Sequence, residues 1–282
     1  MKKILSILLI GVVLFNFNSC KHGAEQVAFY PELIKYNLYR SDSANDFSFN
    51  INITSTHKNP KIEFVSAEGV NTENLIVTFS NDSFESIADT RIDGKYVILL
   101  GVHCSTSTEY TKIDSMKLSV NGNETEIKFS TPVENTFYDY DSIEHVLVQR
   151  NMPIYIFPQS FVGENETDYM FSVEAINDIT IVSFNFNAFL DFVEAEVSVN
   201  GKSKGSLKDI IPINLKQGDI LTVNSKIQFA NEKYTGMENL YLNLIVECIS
   251  NNTTIVEHYP IVATFIGNVD DAKEFINKYV EE

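Results

Sequence analysis

The chain has 282 residues, 44% of them hydrophobic and 12% aromatic, with no tryptophan and a formal net charge of −17. That excess of acids excludes nucleic acid as an expected partner, because attraction to a phosphate backbone comes from Lys and Arg displacing counterions. The length suffices for two cores of ordinary domain size, and three cysteines are too few for a disulfide scaffold.

The first element lies outside any fold. Lys2 and Lys3 precede a largely apolar run from Ile4 to Phe15, and small or polar residues then close on Cys20. The run falls short of the roughly 20 helical residues that a hydrocarbon core needs, so residues 1–19 read as a secretion signal. Phe17, Asn18 and Ser19 before Cys20 resemble the lipobox of bacterial lipoproteins. Asn18 replaces the small aliphatic residue usual there, a looseness found in bacteroidete-type signals. The resemblance implies cleavage before Cys20, acylation of its thiol, a short tether over residues 20–26, and residence in the cell envelope, most simply at the outer membrane. Three acyl chains on one cysteine hold a protein to a membrane without any basic patch.

From residue 27 onward, alternation of period two dominates. Phe47, Phe49, Ile51 and Ile53 face one way while Ser48, Asn50, Asn52 and Thr54 face the other, the pattern of a half-buried strand. Leu75, Val77 and Phe79 repeat it, and Tyr96 to Val102 is apolar on both faces, as a central covered strand would be. Around Asn121-Gly122, a turn pair that tolerates positive φ, the segment Met116–Phe129 predicts a tight hairpin matching Met116 with Ile127 and Leu118 with Thr125. Pro132, the polar run from Glu134 to Asp141, and Pro153 interrupt the pattern, so residues 133–152 read as a linker between domains 27–132 and 153–268.

In the second domain the alternation returns at Tyr169, Phe171 and Val173, at Val182, Phe184 and Phe186, at Val193 to Val199, and at Leu221 to Phe229. Leu240 to Cys248 is a second run apolar on both faces. The Asn200-Gly201 pair leads into Lys202-Ser203-Lys204-Gly205, which is too polar for a core strand and is expected to open a longer loop. In residues 269–282, Ala272, Phe275, Ile276 and Tyr279 mark one face of a short helix capped by Asp271, expected to pack on the second sheet. The predicted class is all-β: two antiparallel β-sandwich domains, immunoglobulin-like, with a short C-terminal helix.

Chemistry-bearing motifs are sparse. Gly201-Lys-Ser-Lys-Gly205 has the spacing of a serine-hydrolase nucleophile turn but neither the following helix nor the buried strand that motif needs. The five histidines, at 22, 57, 103, 145 and 258, never fall at spacings that aim two imidazoles at one metal. His103 and Cys104 are neighbours on a strand and project to opposite faces, so they cannot act together as base and nucleophile. Asp139, Asp141 and Glu134 lack the spacing of a calcium loop and read as a solvated acidic linker. Tyr30, Tyr36 and Tyr155 are the candidates for stacking on a sugar ring. Cys104 and Cys248 lie in separate apolar runs and read as buried free thiols.

Neither a catalytic residue, a metal nor a cofactor is expected. Asp42-Ser43, Asp114-Ser115 and Asp141-Ser142, each followed by an aliphatic residue or alanine, resemble bacteroidete O-glycosylation sites, which would modify Ser43, Ser115 and Ser142. The layout of signal, lipobox and two β-rich halves is similar to bacteroidete fimbrial subunits. The functional expectation is a lipid-anchored binding, adhesion or assembly module, attached to the membrane through Cys20 and partnered by an envelope protein or glycan. An envelope hydrolase acting on glycans, or an accessory protein of polysaccharide use, is the alternative.

Overall fold

A computed structural model describes residues 26–40, 46–83, 85–137, 145–150, 166–229, 239–263, 266 and 269–279. The signal, Cys20, Ser43, Ser142, Tyr155, Asp139 and Asp141 lie outside these residues.

The first half contains β1 (Val27–Tyr30), β2 (Ile34–Arg40), β3 (Asp46–Ser55), β4 (Ile62–Val70), β5 (Ile76–Asn81), α1 (Glu85–Ala88), β6 (Arg91–Ile92), β7 (Lys95–Ser105), β8 (Tyr110–Val120) and β9 (Asn123–Phe137). One sheet runs β1-β3-β7-β5 with β6 against the start of β7, and β2-β9-β8-β4 forms the facing layer. The inward residues of the β3 alternation, Phe47, Phe49, Ile51 and Ile53, meet Ile113, Met116, Leu118 and Phe129 of that layer in one core. The predicted hairpin is present with Met116 opposite Ile127 and Leu118 opposite Thr125, closed by Asn121 (φ 51°) and Gly122 (φ 81°).

The second half contains β10 (Leu147–Gln149), β11 (Glu166–Ala175), β12 (Ile179–Phe186), β13 (Leu190–Val199), β14 (Lys202–Ser206), α2 (Leu207–Ile210), β15 (Ile213–Leu215), β16 (Ile220–Phe229), β17 (Asn239–Ser250), β18 (Thr253–Ala263) and α3 (Val269–Tyr279). The sheet β10-β11-β16-β13-β14 faces β12, β15, β17 and β18. Phe171, Val173, Leu221 and Val223 pack there against Ile181, Leu242, Leu244 and Val246.

The fold is all-β, with antiparallel pairing among the described strands except at β2. That strand pairs parallel with β9 through Asn37–Arg40 and with β17 through Ile34–Tyr36, so one eight-stranded sheet runs through both sandwiches. β9 reaches Phe137 and β10 starts at Leu147, so both strands enter the stretch read as linker. Side chains continue the junction where the ladder stops. Asn243 Oδ1 accepts from Tyr39 N–H (2.7 Å) and its Nδ2 donates to Tyr39 O (3.0 Å). Asn187 Nδ2 donates to Asn37 O (2.8 Å), and its Oδ1 accepts from Asn243 N–H (2.8 Å). A side-chain amide carries one donor and one acceptor group, so it stands in for a strand's peptide.

Both doubly apolar runs prove central. Tyr241 joins the first core while Leu240, Leu242 and Leu244 enter the second. Along β7, Val102 and Cys104 face the first core, and Val97 lies under α3.

Four local expectations are corrected. Asn200-Gly201 closes a tight hairpin, not a long loop: Lys202 pairs with Val199 and the polar segment becomes edge strand β14, which needs no apolar face because it sits at a margin. The simple alternation of Val182, Phe184 and Phe186 is broken by a bulge between Ile181 and Ser183, so Ile179 and Ile181 point inward before it and Phe184 after it. Asp271 is not the cap of α3; the helix starts at Val269 and holds Asp270 and Asp271 in its first turn, where the helix dipole favours acids. Finally, α3 does not pack on the second sandwich. Ala272, Phe275 and Ile276 close with Tyr30, Ile92 and Val97 of the first sheet and with Leu33 and Ile87 beside it, which removes both apolar surfaces from water.

Candidate functional site on the first sheet

The face of the β1-β3-β7-β5 sheet that points away from the core is half covered. Tyr30 and Val97 lie beneath α3, with the Phe275 ring edge-on to Tyr30 at 4.8 Å. Beyond the helix the face is polar. Register places Ser48, His103 and Thr78 in one row across β3, β7 and β5, and Asn50, Gly101 and Ser80 in the next. Their in-line neighbours Phe47, Phe49, Val102 and Cys104 are buried in the core, so alternation sends these six outward. Asp46, Ser48, Ile76, Thr78, His103 and Ser105 line a shallow concavity of about 340 Å³.

At the margin of the concavity four side chains converge. Ser80 Oγ lies 2.6 Å from His103 Nε2 and also bonds the Asp82 carboxylate. In the amide orientation that satisfies both its ends, Asn50 Nδ2 donates to Asp82 Oδ2 (3.2 Å). The Asp82 N–H donates to Leu99 O (2.9 Å) and the Leu99 N–H to Ser83 Oγ (2.9 Å), which fixes the turn after β5 and holds Asp82 over β7. Gly101 makes room for it: a Cβ there would stand 2.2 Å from Asp82 Oδ2 and 2.4 Å from Ser80 Oγ.

The order of contacts decides the chemistry. A serine nucleophile needs a histidine to take its proton and a third group to orient that histidine. Here serine sits in the middle. Its single proton goes to the carboxylate, which has none to give, so His103 Nε2 donates to Ser80 and is not its base. No described residue bonds His103 Nδ1, so the orienting group is missing among them. The arrangement is a hydrogen-bonded polar cluster on the outward face of the sheet.

The residues named from the sequence are placed elsewhere. Tyr30 and Tyr36 are buried in apolar clusters and offer no ring face to a ligand. Ser115 is 6% exposed between β4 and β9, so its hydroxyl is shielded from a modifying enzyme in the folded chain. Contrary to the expectation that no helix follows, the four-residue α2 starts at Leu207, but Ser203 lies within edge strand β14, paired with Ser198, and so does not sit on the strand-to-helix turn that the hydrolase motif needs. Cys104 and Cys248 are free, buried in the first and second cores, and burial pushes both thiols up, Cys248 to about 12 with the Glu257 charge adding to the effect. Glu257 itself accepts from His145 Nδ1 (2.8 Å), Val146 N–H (2.8 Å) and Leu147 N–H (3.2 Å), tying β10 to β18. Among the described residues no group of three or more His, Cys, Asp and Glu converges as a metal site would require. Of the convergent set, the sequence placed Asn50 on the polar face of its strand and His103 on the face opposite Cys104. Ser80, Asp82 and Asn50 carry no motif, and only the β3-β7-β5 register brings them together.

No family model matches the chain, and no curated protein does. Among solved structures it is similar to a protein of unknown function from Porphyromonas gingivalis W83, at 10% identity over 86% of this chain and 100% of that one, TM-score 0.26. It is similar also to the Escherichia coli CFA/I adhesin CfaE, at 10% identity over 86% and 94%, TM-score 0.25. The fibronectin(III)-like modules of Clostridium thermocellum CbhA match at 10% identity over 85% and 94%, TM-score 0.20. Likenesses this distant carry no functional argument.

Proposed function

We propose that the protein is a lipid-anchored binding module of the cell envelope, held by acylated Cys20 and engaging its partner through the uncovered half of the first sheet. The supporting observation is the half-covered face itself. Where α3 ends its cover, apolar residues give way to Asn50, Ser80 and Asp82 beside a concavity lined by Ser48, Thr78 and His103, on a scaffold whose strands are locked by long ladders. Polar groups fixed on a rigid sheet are preorganised for recognition. The first described strand starts at Val27, so a lipid on Cys20 would lie a few residues from the sheet.

Two measurements test the reading. Cys20→Ala is expected to move the protein from the membrane to the soluble fraction, and continued membrane partition overturns the anchor. Soluble full-length Cys20→Ala protein is expected to be retained by purified envelopes, with retention lost on adding Asp82→Ala and His103→Ala; equal retention with both changes overturns the assignment of the face.

A further inference from the structure

We propose that the ligand class of this face is a neutral saccharide; the inference rests on reading the face as a binding surface. The groups that meet there are a mixture of donors and acceptors: a carboxylate at Asp82, hydroxyls at Ser48, Thr78 and Ser80, the Asn50 amide and the His103 ring. Among the described residues, neither the lining of the concavity nor the convergent set holds Lys or Arg, so an anionic ligand would meet two carboxylates there, Asp46 and Asp82. A sugar hydroxyl is donor and acceptor at once and brings no charge, so it matches such a mixture where an ion does not.

Bonding capacity remains open. A carboxylate offers about four lone-pair positions, and Ser80 and Asn50 occupy two of those on Asp82. With Nε2–H directed at Ser80, the His103 ring presents Nδ1 as an acceptor. Ile76, 67% exposed beside Asp46 and Thr78, supplies an apolar contact for the C–H face of a ring. The volume of about 340 Å³ falls at the small end of ligand sites, which run from about 300 to 1,000 Å³.

Gly101 gives a selective test. The atoms nearest to its added Cβ all belong to the Ser80 and Asp82 side chains, so Gly101→Ala displaces the binding groups while the strand persists. The experiment titrates the full-length Cys20→Ala protein with neutral gluco-, manno-, galacto- and xylo-oligosaccharides, and with polygalacturonate and heparin as anionic probes. Saturable binding of at least one neutral oligosaccharide is expected, weakened more than tenfold by Gly101→Ala and by Asp82→Ala, with unchanged circular dichroism. Binding of anionic probes alone, binding of none, or neutral binding that both variants leave intact overturns the inference. Envelope retention that still depends on Asp82 while no neutral oligosaccharide binds would reject the ligand class and leave the binding face standing; loss of both would reject the two together.

Discussion

Tyr241 carries a hydroxyl into the first core, and that hydroxyl accepts the Asn50 N–H at 2.8 Å. Asn239 Nδ2 donates to the Asn50 carbonyl at 3.1 Å. The reason is local: β1 covers β3 only from Asn52 onward, which leaves the peptide groups of Asn50 without a neighbouring strand. Two side chains of β17 close the gap, and burial holds the Tyr241 phenol un-ionised well above its ordinary range. Tyr241→Phe keeps the ring stacked on Tyr36 but leaves a shielded donor unmet, so the expected loss is about 1–3 kcal/mol. A urea unfolding midpoint that falls with unchanged slope would report it, and an unchanged midpoint would show that water reaches Asn50. Nothing in the sequence marks Asn239 or Asn243 as strand substitutes, since an asparagine's partner is set by where the chain brings a bare peptide.

At the scale of elements, the best-read feature is the β8–β9 hairpin, whose turn pair and alternation agree on one register. The least well read is the placement of α3. Its apolar stripe of Ala272, Phe275 and Ile276 identifies a face to bury, but amphipathicity names no partner. The partner is set by Val97 and Tyr30, whose outward apolar side chains lie on the first sheet, far away in sequence. Phe275 is fully buried against them, so Phe275→Ala is expected to cost about 3–5 kcal/mol. Thermal unfolding should show it, with Lys273→Ala, at an exposed residue paired with Asp270, expected to change stability by no more than about 0.5 kcal/mol. Comparable losses in the two variants would mean that the helix is not held through Phe275. Bulges are a second blind spot: the extra residue between Ile181 and Ser183 turns the inward positions of β12 from odd to even, and no local residue preference announces it.

For the whole molecule, β2 and α3 together cross the boundary that the sequence suggests. β2 belongs to the first core yet pairs with β17, and α3 follows the second sandwich yet covers the first. Domains that share a sheet and a helix should unfold together. Calorimetry is expected to give one transition with matching calorimetric and van't Hoff enthalpies, and separately produced residues 26–137 and 145–279 are expected not to fold, since the first piece lacks Tyr241 and the second leaves the stripe of α3 bare. Two resolved transitions would establish independent domains.

The sequence by itself determined the all-β class, the main hairpin and the burial of Cys104 and Cys248, because these follow from period-two alternation and turn chemistry acting over a few residues. Tertiary structure decided the shared sheet, the cover over Val97 and the meeting of Ser80, Asp82 and His103. Those contacts depend on register and on long loop closures, and a pattern that repeats every two residues fixes which face a side chain takes but not which distant strand lies beside it.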